Sequence, residues 1–175
     1  IIDQAGGDIE VTSKVGVGTT VKWTLPFKID KDYKESHTDE FDLTGLRILA
    51  AEDNELNAEI LQLMLEDAGV RTTMVANGRK AVNTFECSPI GTYDCILMDI
   101  MMPEMDGYEA SRQIRAMNRP DAKTVPIIAL TANAFTEDAR RAAEAGMDAH
   151  LAKPLQMDVV VATIAKHCQH ETSGR

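Results

Sequence analysis

Cys95-Ile96-Leu97-Met98-Asp99-Ile100-Met101-Met102-Pro103-Glu104-Met105-Asp106-Gly107 decides how this chain folds. Four apolar residues in succession, without polar alternation, mark a short strand covered on both faces, and such strands belong to parallel sheets. Outward in both directions the same kind of run returns, at Ile48 to Ala51, Val70 to Ala76, Val125 to Leu130 and Ala149 to Ala152. Helical patterns lie between them. Leu56, Ile60, Met64 and Ala68 recur every four residues and Gly69 stands where a helix stops, so the first connection reads as an amphipathic helix with that stripe as its apolar face. Thr136 with Glu137 and Asp138 marks the start of a later helix and Gly146 its end. Strands alternating with helices predict an α/β fold, a doubly wound five-stranded parallel sheet with helices on both faces.

In an open parallel sheet the expected site is the crevice beyond the carboxyl ends of the strands. The residues placed there are Glu52-Asp53-Asn54, Asp99, Thr131 and Lys153-Pro154. Singly, most have ordinary uses: an acidic pair starts a helix, a hydroxyl caps a turn, a lysine is solvated. Asp99 is the exception, because it ends a covered strand and its carboxylate needs a partner. Together they are more specific. Crowded carboxylates repel one another and call for a cation, and hard oxygen donors suit Mg²⁺. A metal held by acids, a lysine opposite and a hydroxyl nearby would neutralise the oxygens of a phosphoryl group in transfer. Asp99, ionised at neutral pH, could attack phosphorus without a general base and form an acyl phosphate.

Leu49-Ala50-Ala51-Glu52-Asp53-Asn54, Ile96 to Gly107, Ala129-Leu130-Thr131-Ala132 and Leu151-Ala152-Lys153-Pro154 resemble the signature segments of the two-component response-regulator receiver domain, in order and spacing, over about residues 45 to 168. The resemblance implies a flavodoxin-like sheet of order 2-1-3-4-5. It implies Asp99 as phosphoacceptor, with Mg²⁺ held by Asp53, Asp99 and the backbone carbonyl of Met101, and Glu52 acting directly or through water. It further implies Lys153 on the phosphoryl oxygens, Thr131 bonding one of them after transfer, and a cis peptide before Pro154. The implied partner is a phosphohistidine-bearing kinase or a histidine phosphotransfer domain. Three residues before the lysine, where many receivers carry Tyr or Phe as a switch partner of the threonine, this chain has His150. It either replaces the ring or makes the response sensitive to pH.

Upstream, Ile9 and Val11 alternate in one run and Val21, Trp23, Leu25 and Phe27 in another, which reads as an isolated β-hairpin. Two strands alone are marginal in water, so these apolar residues need a cover. Ala5 to Ser13, Gly16 to Thr20 and Leu25-Pro26-Phe27 resemble the closing hairpin of a histidine kinase ATP-binding domain. Gly16-Val17-Gly18 is a turn between strands with no lysine or helix after it, and is not read as a nucleotide loop. The division expected is therefore residues 1–27 as the end of a kinase domain, 28–43 as a polar linker, 44–170 as the receiver and 171–175 as a tail. The parent would be a hybrid sensor histidine kinase. Its ATP-contacting motifs have no match here, so autokinase activity is not expected of this chain.

Composition bounds the alternatives. A formal net charge of −10 argues against nucleic acid as a partner. No apolar run is long enough to span a bilayer, so this segment is expected to make no membrane contact, although the parent could be anchored. Three cysteines, Cys87, Cys95 and Cys168, with no Cys-x-x-Cys pair, suit a reducing, cytoplasmic setting. Two other functions remain open on sequence. An aspartate-nucleophile phosphohydrolase of the dehalogenase kind would want a second acid two residues after the nucleophile, where Met101 stands. A docking receiver without phosphorylation would have no need of the full set of acids, hydroxyl and lysine.

Overall fold

The computed structural model describes residues 8–14, 16, 18–24, 26, 41–132 and 136–168, with only the backbone of 136–138. The chain divides into two compact units, Ile1–His37 and Thr38–Arg175.

In the first unit, β1 (Asp8–Lys14) pairs antiparallel with β2 (Gly18–Thr24). Ile9 faces Trp23 and Val11 faces Val21 across the ladder, so the period-2 reading puts four apolar side chains on one face. All four are exposed, Trp23 at 60%. The turn needs positive φ at Gly16 and Gly18, a conformation glycine adopts without steric cost. Leu25 and Phe27 of the expected hairpin fall outside the described residues.

The second unit holds β3 (Arg47–Ala51), α1 (Glu55–Asp67), β4 (Arg71–Val75), α2 (Gly78–Cys87), β5 (Cys95–Asp99), α3 (Gly107–Ala116), a 3₁₀ turn (Pro120–Lys123), β6 (Ile127–Thr131), α4 (Thr136–Glu144), β7 (Ala149–Ala152) and α5 (Met157–Cys168). The five strands form a parallel sheet in the order β4-β3-β5-β6-β7, which is the order expected. Strand alternation sorts the core into two layers. Leu49, Ala51, Ile96, Met98, Ile127 and Ala129 pack against Val82, Phe85, Ile114 and Ala142 of α2, α3 and α4. Ile48, Ala50, Cys95, Leu97, Ile128 and Leu130 pack against Leu61, Leu65, Val160 and Ile164 of α1 and α5. β5 and β6 are wholly buried, which is why they read as continuous apolar runs.

One expectation is corrected. The stripe Leu56, Ile60, Met64, Ala68 is not the buried face of α1. Leu61 and Leu65 fill the core instead, while Leu56, Ile60 and Leu63 are exposed. A helix with apolar residues on two faces offers two four-residue stripes, and spacing alone does not say which meets the sheet. Just upstream of β3, Leu43 is buried and Phe41 packs against the same core layer. Helix starts follow local chemistry. The Asn54, Asn77 and Asp106 side chains accept from the backbone N–H three residues on, in α1, α2 and α3. Gly69 and Gly146 take positive φ just after α1 and α4. Residues 169–175, including the expected tail, fall outside the described residues.

Candidate functional site

The sheet order places β3, β5, β6 and β7 side by side from the first strand of the unit to the last, so their carboxyl ends open on a common edge. Asp99 closes β5 and is 5% exposed. Glu52, directly after β3, is 3% exposed, while its neighbour Asp53 is exposed. One carboxylate oxygen from each of Glu52, Asp53 and Asp99 lies within 4.8 Å of the others.

Lys153 supplies the partner that a buried Asp99 requires. Its Nζ donates to Glu52 Oε2 at 2.5 Å and to Asp99 Oδ2 at 2.8 Å. Lys153 N–H donates to the Thr131 carbonyl at 2.7 Å, which anchors the lysine backbone beside β6; the Lys153-Pro154 peptide is cis. Burial pushes the Asp99 carboxyl above its ordinary range; the Lys153 hydrogen bond and charge pull it back, and the Glu52 charge adds to the rise. Burial would depress the Lys153 ammonium, but its bonds to Asp99 and Glu52 hold it above the usual lysine value. The crevice therefore holds a compact ion triad in which the Glu52 and Asp99 carboxylates share one lysine, with the Asp53 carboxylate close by.

The loop after β5 is shaped by close backbone approach. Gly107 N–H donates to the Ile100 carbonyl at 3.0 Å, and a Cβ at Gly107 would overlap the Asp99 carbonyl oxygen. Glu104 takes φ 66°, uncommon for a residue with a Cβ, to turn the loop back. Met101 N–H reaches Asp99 Oδ1 at 3.3 Å, while the Met101 side chain is exposed. Thr131 ends β6 at 5% exposure, next to the strand that carries Asp99. His150 sits on β7 opposite Ala129 and is exposed.

The structure thus gathers Glu52, Asp53, Asp99 and Lys153 and sets Thr131 on the adjoining strand end. Sequence reasoning assigned no part to Asn57, whose Nδ2 donates to Glu52 Oε1 at 3.2 Å, nor to Gly107. The signal for Asn57 was its place in the first turn of α1, one turn beyond the acidic pair. The signal for Gly107 was an Asp-Gly pair at a helix start.

Comparison with known proteins follows this geometry. The family described as response regulator receiver domain matches residues 48–165. The aerobic respiration control sensor protein ArcB of Escherichia coli (strain K12) is 35% identical over 166 residues, covering 92% of this chain and 20% of that sensor. Thus the chain spans about a fifth of the length of this curated relative. Among solved structures, the receiver domain of sensor histidine kinase PA1611 from Pseudomonas aeruginosa PAO1, with a magnesium ion coordinated in its active site cleft, is 40% identical with a TM-score of 0.65, covering 72% of this chain and 99% of that one. The receiver domain of the Saccharomyces cerevisiae response regulator Ssk1, in a co-crystal with the histidine phosphotransfer protein Ypd1, is 28% identical with a TM-score of 0.62, covering 71% of this chain and 89% of that one.

Proposed function

The chain belongs to the response regulator receiver domain family of two-component and phosphorelay signalling, and from that premise we propose that Asp99 accepts a phosphoryl group from a phosphohistidine. The observation that carries this reading is the ion triad of Asp99, Glu52 and Lys153 at the strand ends. An Asp99 Oδ attacks phosphorus in line, the P–N bond to the donor imidazole breaks, and the imidazole leaves with the electron pair and takes up a proton. Lys153 follows the negative charge from the carboxylate to the phosphoryl oxygens. Thr131 presents its hydroxyl from β6 to one of those oxygens once transfer is complete, and His150 stands as the exposed strand position behind that switch.

The donor set fits a hard divalent cation. Glu52, Asp53 and Asp99 offer oxygen only, close together and in negative excess over Lys153. Asp53, Asp99 and the Met101 carbonyl would hold Mg²⁺, with Glu52 beside them. When bound, Mg²⁺ supplies neutralisation of the charge that builds on the phosphoryl oxygens. Glu52, secured by the Lys153 ammonium and the Asn57 amide, keeps its largely buried carboxylate close to Asp99.

The partner reading rests on α1. Leu56, Ile60 and Leu63 lie on one helical face, all exposed, on the helix that starts directly after Glu52 and Asp53. That face suits the apolar side of a helical phosphohistidine-bearing domain. As for the parent, the unit Ile1–His37 is proposed as the last hairpin of a kinase ATP-binding domain. Its four exposed apolar residues would be covered upstream, residues 28–43 would form the linker and 44–170 the receiver of a hybrid sensor histidine kinase.

Incubation with Mg²⁺ and acetyl phosphate followed by intact-mass and peptide mapping tests the acceptor. Phosphate is expected on Asp99, and its appearance on another residue, or nowhere, overturns the reading. Ile60→Glu separates docking from chemistry. It is expected to slow transfer from a phosphorylated phosphotransfer domain by tenfold or more while acquisition from acetyl phosphate is unchanged.

A further inference from the structure

Apart from the crevice, the described residues bring two reactive side chains together at the other end of β5. Cys95 opens that strand and is fully buried, and Cys168 closes α5 and is partly exposed. Both belong to the core layer between the sheet and α1/α5. The Cys168 Sγ donates to the Asp94 carbonyl at 3.7 Å, which sets it against the residue directly before Cys95. Cys87 is exposed and lies on α2, which packs in the opposite layer.

We propose that Cys95 and Cys168 are a modification site, forming a reversible disulfide when the protein meets a hydroperoxide. The two cysteines have different chemical roles. The neighbouring Cys95 thiol lowers the Cys168 thiol below its ordinary value against the effect of burial, whereas Cys95 is held well above, first by Cys168 and then by burial. Cys168 is also the one that solvent reaches, so it is the thiolate that reacts first. Its sulfur attacks a peroxide oxygen: an S–O bond forms, the O–O bond breaks, and the departing hydroxide or alkoxide takes up a proton. The Cys95 sulfur then attacks the sulfenic sulfur, an S–S bond forms, the S–O bond breaks, and hydroxide leaves as water with the Cys95 proton. Two electrons pass from the two thiols to the hydroperoxide. The crosslink closes a loop containing β5, α3, β6, α4, β7 and α5 and ties the last turn of α5 to the start of the central strand.

The test uses the full chain carrying Cys87→Ser, treated with hydrogen peroxide under native conditions, then alkylated, digested and mapped by mass spectrometry. A linked peptide pair joining Cys95 and Cys168 is expected, reversed by dithiothreitol, with Tm raised by about 5 °C or more because the crosslink restricts the unfolded chain. Cys95→Ser in the same background is expected to lose the link and leave Cys168 in an oxygenated form. Full alkylation of both thiols after treatment overturns the proposal. So does a disulfide joining two chains, or Cys168 oxidised to sulfinic acid while Cys95 is present and still free.

Discussion

At Lys153 one ammonium serves two buried carboxylates, and its removal leaves Glu52 and Asp99 facing each other unpaired. Lys153→Ala is expected to slow phosphoryl acceptance from acetyl phosphate by tenfold or more, read by timed intact-mass measurement, while far-ultraviolet circular dichroism stays that of the native chain. Asp99 carries the reverse balance, since burial of its charge works against the folded state. Asp99→Asn is expected to abolish incorporation entirely and, without divalent metal at neutral pH, to melt at or above the temperature of the native chain. A clear fall in Tm would mean that the Lys153 bond outweighs the cost of burial. Gly107 belongs with these residues because its missing side chain lets α3 start against the Asp99 carbonyl. Gly107→Ala is expected to cost about 1–3 kcal/mol in urea unfolding, and to slow acceptance too, since the overlap bears on the acceptor residue itself.

Between elements, the connections on the far side of the sheet are held by two arginines. Arg119 makes a two-point bond to Asp121, donates to the carbonyls of Phe85 and Ser88, and lies 4.4 Å from the Phe85 ring centroid. Arg115 donates to the carbonyls of Gly146, Ala122 and Val125 and pairs with Asp148. Arg119 holds the Asp121 carboxyl down to about 2. A carboxyl lowered on folding adds stability that is complete above its ordinary value near 4 and is lost as pH falls toward 2. Arg119→Ala is therefore expected to cost about 2–4 kcal/mol at pH 7, with the gap to the native chain narrowing between about pH 4 and pH 2, as the Asp121 share is lost, in acid titrations followed by circular dichroism. These clamps show where sequence reading stops. The five strands and the four acceptor loops were legible because uninterrupted apolar runs end abruptly in polar residues, as at Met98-Asp99 and Leu130-Thr131. Arg115, Arg119 and the Cys95 and Cys168 pair join residues distant in the chain, and no local period encodes such contacts. On α1 the period was visible but ambiguous, and only packing on the sheet chose Leu61 and Leu65 over Leu56 and Ile60.

Across the molecule, the residues proposed to accept the phosphoryl group all lie in the unit Thr38–Arg175, with its own two-layer core. A chain beginning at Thr38 is accordingly expected to take up phosphate from acetyl phosphate at the rate of the longer one, within about twofold; a larger loss in a matched time course would tie the hairpin to the acceptor chemistry. Among the described residues no helix is long and apolar enough to cross a membrane. The strand order has one more effect. β3 lies between β4 and β5, and Lys153 follows β7, so within this unit the acids are translated before the ammonium that bridges Glu52 and Asp99. Until β7 and Lys153 have been added, Glu52 and Asp99 lack their shared counter-charge, so the buried ion triad closes only when the last strand of this sheet docks.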